Sequence, residues 1–197
     1  MMKKKLFLAG SLLLVAAAAL ADPIAVGTKA PAFSLVNAVD SKTVAFKPGD
    51  GKTAVVIFTC NQCPFAKAFE PRIIELAKQY AAKGIAFYAV NPNDEVKYPE
   101  ETLASMRSRA VGKGYTLPYL KDADSAVARA YGAKVTPHAY VVDGKGVVRY
   151  VGYIDDEAKP EKRKTTGLTD ALDALLAGKA IETTSTNAFG CSIKWKR

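Results

Sequence analysis

The sequence predicts an α/β chain with a central mixed β-sheet flanked by helices. Three segments carry that prediction. Thr53 to Thr59 is a continuous β-branched and aromatic run, the composition of a strand covered on both faces. Phe65, Phe69, Ile73, Leu76 and Tyr80 recur at three- and four-residue spacing, so Phe65 to Ala81 reads as a helix, stopped by Gly84. Ile85 to Val90 is a second buried strand, ending at Asn91-Pro92-Asn93-Asp94. Strand, helix and strand in that order make a parallel βαβ unit with a right-handed crossover.

The other elements follow in chain order. Ala25 to Phe33 is irregular, punctuated by Gly27 and Pro31. Phe33–Val36 and Thr43–Phe46 are short strands around the turn residues Asp40-Ser41, and Pro48 to Gly51 is a loop. Pro99 to Ala110 reads as a second helix with Leu103 and Met106 inward. A loop through Gly114 leads into Leu117-Pro118-Tyr119-Leu120. Asp124 to Tyr131 is a short helix ended by Gly132. Val135-Thr136-Pro137 precedes a strand from His138 to Val142, and Asp143-Gly144 signals a hairpin into a partner strand, Val147 to Tyr153. The charged stretch Asp155 to Thr166 reads as an exposed loop, and Leu168 to Leu176 as a last helix closed by Gly178.

A chain of 197 residues accommodates one compact domain, and a hydrophobic fraction of 49% excludes a wholly disordered one. The N-terminus is a separate object. Lys3, Lys4 and Lys5 precede an apolar run from Leu6 to Leu20, and Ala19-Leu20-Ala21 supplies a small-x-small cleavage signal. Residues 1–21 are therefore expected to be a cleaved secretory signal peptide, which puts the protein in a periplasm. The apolar run is short for a bilayer span of ~20 residues, and no stable membrane insertion is expected. Residues 22–178 form the folded domain, and 179–197 form a tail carrying Cys191. Cleavage removes three lysines and no acid from a net charge of +9. The remaining positive charge is diffuse and lacks an aromatic stacking platform, which argues against a nucleic-acid partner.

An exported chain with three cysteines, Cys60, Cys63 and Cys191, has an odd thiol. A domain this large needs no covalent staple, so the cysteines read as chemical rather than architectural. Cys60 and Cys63 lie between a buried strand and a helix, where unpaired N–H groups stabilise a thiolate, the attacking species. Two role assignments are open. Cys60 is nearer the strand end, is expected to be the more exposed, and would attack a partner disulfide, with Cys63 resolving. Alternatively Pro64, with φ already fixed for a first turn, puts Cys63 at the N-cap and makes it the activated thiolate. A tetrahedral zinc site lacks ligands, and no cofactor is expected.

Further candidates lie downstream. A proline opening a strand cannot feed the ladder, and in cis Thr136-Pro137 would make a tight kink. His138, the single histidine, could stabilise a thiolate or relay a proton. Cys191, in Gly190-Cys191-Ser192-Ile193-Lys194-Trp195, could resolve a disulfide or sulfenic acid formed at the pair, cross-link to another molecule, or be buried against the body with Ile193 and Trp195.

Together these residues resemble the thioredoxin-like superfamily, specifically its redoxin or peroxiredoxin-like branch, related to AhpC-TSA proteins, with a thioredoxin-type Cys-x-x-Cys pair. Val26 to Leu35 is similar to the opening of redoxin domains. The Cys60-to-Phe65 core, Tyr119-Leu120-x-Asp122, Ile154-Asp155-Asp156 and the terminal Gly190 to Trp195 resemble one subgroup. The resemblance implies a thioredoxin-like fold, a cis-proline loop at Val135-Thr136-Pro137 beside the cysteines, and a peroxiredoxin-like helical insert from Asn91 to Tyr119. The chain also departs from the family pattern. Ala54 stands near the place of thioredoxin's buried Asp, so His138, a water or a more distant carboxylate must serve as base. Cys63-Pro64 matches the peroxidatic Cys-Pro, but Cys60 replaces the preceding threonine. Arg149 and Arg129 are candidates for the family's peroxide-orienting arginine.

The leading expectation is an exported thiol–disulfide oxidoreductase that exchanges disulfides with protein thiols through Cys60 and Cys63, fed by an upstream thiol reductant. The alternative is a thiol peroxidase in which Cys63 attacks a hydroperoxide and Cys60 or Cys191 resolves. A lesser alternative is a copper-binding chaperone using Cys60, Cys63 and His138.

Overall fold

The computed structural model describes residues 22–196, so the expected signal peptide at 1–21 lies outside the described residues. A seven-stranded mixed sheet runs in the order β2-β1-β5-β4-β3-β7-β8. Its strands are β1 (Phe33–Asn37), β2 (Thr43–Phe46), β3 (Ala54–Phe58), β4 (Ala86–Asn91), β5 (Tyr119–Lys121), β7 (His138–Val142) and β8 (Val148–Gly152). β3 and β4 are parallel, as are β4 and β5, whereas β7 runs antiparallel to both β3 and β8. A separate two-stranded sheet joins β6 (Val135–Thr136) to β9 (Cys191–Ser192). Helices α1 (Pro64–Ala81), α2 (Leu103–Lys113), α3 (Ala126–Ala130) and α4 (Gly167–Leu176) complete the chain. This is an α/β, thioredoxin-like architecture. Among the described residues no helix is long and apolar enough to cross a membrane.

All five residues of β3 are buried, as its unbroken apolar run requires for a central strand. Side chains alternate between two cores. Val55 and Ile57 meet Phe69, Ile73 and Tyr80 of α1 and Leu168 and Leu172 of α4. Val56 and Phe58 meet Tyr131, Tyr140 and Val148 on the other face. Truncating a residue such as Phe58 to Ala would cost about 3–5 kcal/mol, because the cavity cannot collapse in so dense a layer.

The structure departs from the sequence expectations at three places and fills in two more. Tyr119–Lys121 is a strand, too short for a periodic signal. The second helix is broken: Pro99–Glu101 is a separate 3-10 turn, and α2 starts afresh where Thr102 Oγ1 accepts from Ser105 N at 3.4 Å. Met106 is inward as expected, but Leu103 and Phe65 are exposed. The Asp155 end of the charged 155–166 stretch is not exposed: Asp155 is buried and accepts from Arg72 Nη1. The tail beyond Gly178 is docked on the body. Thr186 N donates to Val151 O at 3.0 Å, and Phe189 stacks edge-on against Phe65 and Phe69.

Candidate functional site

β3 ends at Phe58, and the chain turns through Thr59, Cys60, Asn61 and Gln62 into α1. Cys63 is the N-cap of α1, and Pro64 occupies the first helical position, where a missing N–H costs nothing. Ala66 N donates to Cys63 Sγ at 3.4 Å. As a thiol, Cys63 donates to Thr136 O at 3.1 Å. As a thiolate it instead accepts from the Cys60 thiol, the Cys191 thiol and the Ala66 amide. These donors, the Cys60 thiol foremost, hold its pKa down to about 4 against the cost of burial. Cys60 moves the opposite way. Its proton is held by the Cys63 sulfur, and burial and the Glu101 charge oppose ionisation further. Cys60 is 5% exposed and Cys63 4%, so the expected greater exposure of Cys60 is not found. The asymmetry comes first from the Cys60 thiol, which donates to Cys63, with the Cys191 thiol and the Ala66 amide at the start of α1 adding to it.

Thr136 joins the parts. Its Oγ1 lies 3.2 Å from Cys60 Sγ, its carbonyl faces Cys63 Sγ, and its peptide bond to Pro137 is cis. Thr136 also pairs with Cys191 across the β6–β9 ladder. The structure therefore brings Cys60, Cys63, Thr136, Pro137 and Cys191 to one place. All three cysteines are free thiols.

Three other sequence candidates are not at this place. His138 is buried and shares a face with Tyr140, whose Oη lies 3.3 Å from Nδ1. Burial, with the Lys134 charge, lowers its pKa to about 4. Among the described residues no hydrogen bond joins it to a cysteine. Cys60, Cys63 and His138 also form no group able to hold a metal ion. Arg149 pairs with Asp143 at 3.7 Å, beside the turn at the opposite end of β7. Arg129 lies over the Trp195 ring and donates to Lys196 O at 2.7 Å.

Sequence reasoning missed a buried carboxylate. Glu101 is 1% exposed and accepts from Asn61 N (2.9 Å), Gln62 N (3.2 Å), Asn91 Nδ2 (2.8 Å) and Asn93 Nδ2 (3.2 Å). Tyr119 Oη donates to Asn61 Oδ1 at 2.9 Å. The insert thus places a buried carboxylate against the loop that carries the cysteine pair. The sequence signal is Asn91-x-Asn93, two polar residues at the end of a buried strand, but nothing local in the sequence joins them to Glu101, which lies within the stretch expected to be one helix.

Residues 26–151 match the AhpC/TSA family. The chain belongs to that family. It is 37% identical to an uncharacterised conserved protein from Geobacillus kaustophilus, with a TM-score of 0.82 over 87% of this chain and 93% of the other. A hypothetical protein from Sinorhizobium meliloti is 36% identical, with a TM-score of 0.81 over 89% of this chain and 97% of the other. The thiol:disulfide interchange protein DsbE of Pseudomonas aeruginosa is 26% identical over 143 residues, 70% of this chain and 72% of that protein. Membership in the family accords with the thioredoxin-like mixed sheet described above.

Proposed function

We propose that this AhpC/TSA-family chain is an exported thiol–disulfide oxidoreductase of the periplasm, exchanging disulfides with protein thiols through Cys60 and Cys63. The observation that carries this reading is the placement of two adjacent thiols at a helix start beside a cis-proline loop, Cys63 as the N-cap of α1 and both sulfurs against Thr136, with Cys63 pushed towards the thiolate and Cys60 towards the thiol. Cys63 thiolate attacks a sulfur of the partner disulfide, forms a mixed disulfide and expels the other partner sulfur as a thiolate. Cys63 then no longer holds the Cys60 proton, which is the largest cause of the high Cys60 value. Cys60 loses that proton, attacks Cys63 Sγ, closes Cys60–Cys63 and releases the reduced partner. Glu101 positions this loop by gripping its two amides. The similarity to the interchange protein and the signal-like sequence at 1–21 support the substrate class and the compartment.

The peroxidase alternative is the weaker one, because neither Arg149 nor Arg129 stands beside Cys63. Insulin reduction with dithiothreitol tests the main reading. The wild-type chain should accelerate precipitation and a Cys63→Ser chain should not. Equal rates for the two would sink it, and rapid turnover of hydrogen peroxide without insulin reduction would favour the alternative.

A further inference from the structure

The tail strand β9 gives the cysteine pair a third neighbour. Cys191 packs in a cluster with Cys60, Cys63 and Ala66, and its residue pairs directly with Thr136, which itself touches both other cysteines. The approach is a built one. Gly190 has φ +155° and lies so close to Thr136 that an added Cβ would fall 2.1 Å from its carbonyl oxygen. Only glycine lets the tail come this near. The strand is also pinned on the far side of Cys191. Ile193 N donates to Lys134 O (3.1 Å), Lys194 N to Asn93 Oδ1 (2.9 Å) and Asp94 N to Lys194 O (2.7 Å). Phe189 anchors the near side against α1. A thiol fixed this way is held against Cys63 rather than swept over it by a loose tail.

We infer that Cys191 is a third redox thiol, which captures oxidised Cys63 as a Cys63–Cys191 disulfide before Cys60 replaces it. The inference rests on the thiol-exchange reading above and adds a step to it. With oxidised glutathione as the disulfide, Cys63 thiolate bonds to one glutathione sulfur and expels the other as thiolate. Cys191 gives its proton to that thiolate and attacks Cys63 Sγ, expelling the second glutathione thiolate, which takes up a solvent proton. Cys60 then loses a proton and attacks Cys63 Sγ, closing Cys60–Cys63. Cys191 leaves as a thiolate and is reprotonated. One glutathione disulfide is reduced and one protein disulfide is formed. Cys191 is only partly buried, which makes it the most accessible of the three cysteines. Its own pKa, raised to about 11 by burial and by the neighbouring Cys63 thiolate, loses the second of those causes once Cys63 enters a disulfide.

The test is a time course on the reduced full chain mixed with oxidised glutathione, acid-quenched, alkylated and peptide-mapped. A Cys63–Cys191 peptide should rise first and decay into Cys60–Cys63. In a Cys60→Ser chain the Cys63–Cys191 bond should accumulate until no alkylatable thiol remains. A wild-type chain that reaches Cys60–Cys63 with no Cys63–Cys191 at any time overturns the inference. So does a Cys60→Ser chain of native circular dichroism that keeps Cys191 alkylatable while Cys63 stays glutathionylated. Insulin turnover separates the two readings. If Cys63–Cys191 forms and insulin is not reduced, the proposed oxidoreductase function fails while the third-thiol assignment holds.

Discussion

Glu101 Oε2 accepts the main-chain N–H of Asn61 at 2.9 Å, so a 3-10 turn in the insert grips the loop between the two cysteines. The same carboxylate takes three further N–H groups, so the turn, the loop and the end of β4 share one anion. Glu101→Ala would leave four donors without their acceptor in a buried site. The expected cost is about 3–5 kcal/mol, read as a lower urea midpoint. Glu101→Gln keeps the shape and removes the charge that opposes ionisation of Cys60. Its mixed-disulfide intermediate should decay with a pH profile displaced to lower pH, and an unmoved profile would assign Glu101 a purely structural role.

Cys63 alkylation gives a direct reading of the donors held against its sulfur, the Cys60 thiol foremost. With its pKa lowered from 9.0 to about 4, the rate with iodoacetamide should be level from pH 9 to about 5 and fall only below that. Cys60 should resist alkylation over the same range while Cys63 is reduced. The linkage has a definite sign. A depressed folded value means that the thiolate's contribution to the reduced fold is complete above pH 9 and is lost as pH falls towards 4. A Cys63→Ala chain should therefore show a flatter rise of stability between pH 5 and 8 than the wild type.

His138 should remain neutral far below the usual histidine range. Burial sets its folded pKa at about 4 against 6.5, so the neutral ring favours the fold fully above pH 6.5 and this contribution is lost as pH falls to 4. The loss is about 3 kcal/mol by the end of that window. NMR titration of the ring checks this, and a midpoint above 6 would refute it. His138→Gln should leave the pH profile of Cys63 alkylation unchanged, because no bond links the ring to the cysteines.

Gly190→Ala tests how the tail is seated. The new Cβ would meet Thr136 O at 2.1 Å, and φ +155° strains any side chain. The β6–β9 pairing should open, with a destabilisation of about 2–4 kcal/mol and at least a tenfold faster alkylation of Cys191. Wild-type stability and reactivity in this variant would show that the tail does not need the close approach.

Much of the architecture is determined locally. The unbroken apolar run before Cys60 specifies a central strand, because only burial on both faces tolerates it. The spacing from Phe69 to Tyr80 specifies a helix packed on that strand, and Pro64 after Cys63 specifies where the helix begins. The β-branched residues beyond Pro137 and the Asp143-Gly144 turn specify the late hairpin. Each signal is carried by neighbours in the chain, so sequence alone suffices. The surroundings of each thiol are decided by contacts between distant segments. Cys63 differs from Cys60 through donors supplied by α1 and by a residue more than a hundred positions away. Glu101 becomes buried only because Asn61, Gln62, Asn91 and Asn93 converge on it. His138 has the right chemistry for the site but lies on the strand face that carries Tyr140. Cys191 reads as a spare thiol in a tail until β9 pairs with β6 and lays it against Thr136. Periodicity and turn chemistry reach a few residues along the chain, whereas a charge or a hydrogen bond acts across whatever the fold brings within about 4 Å.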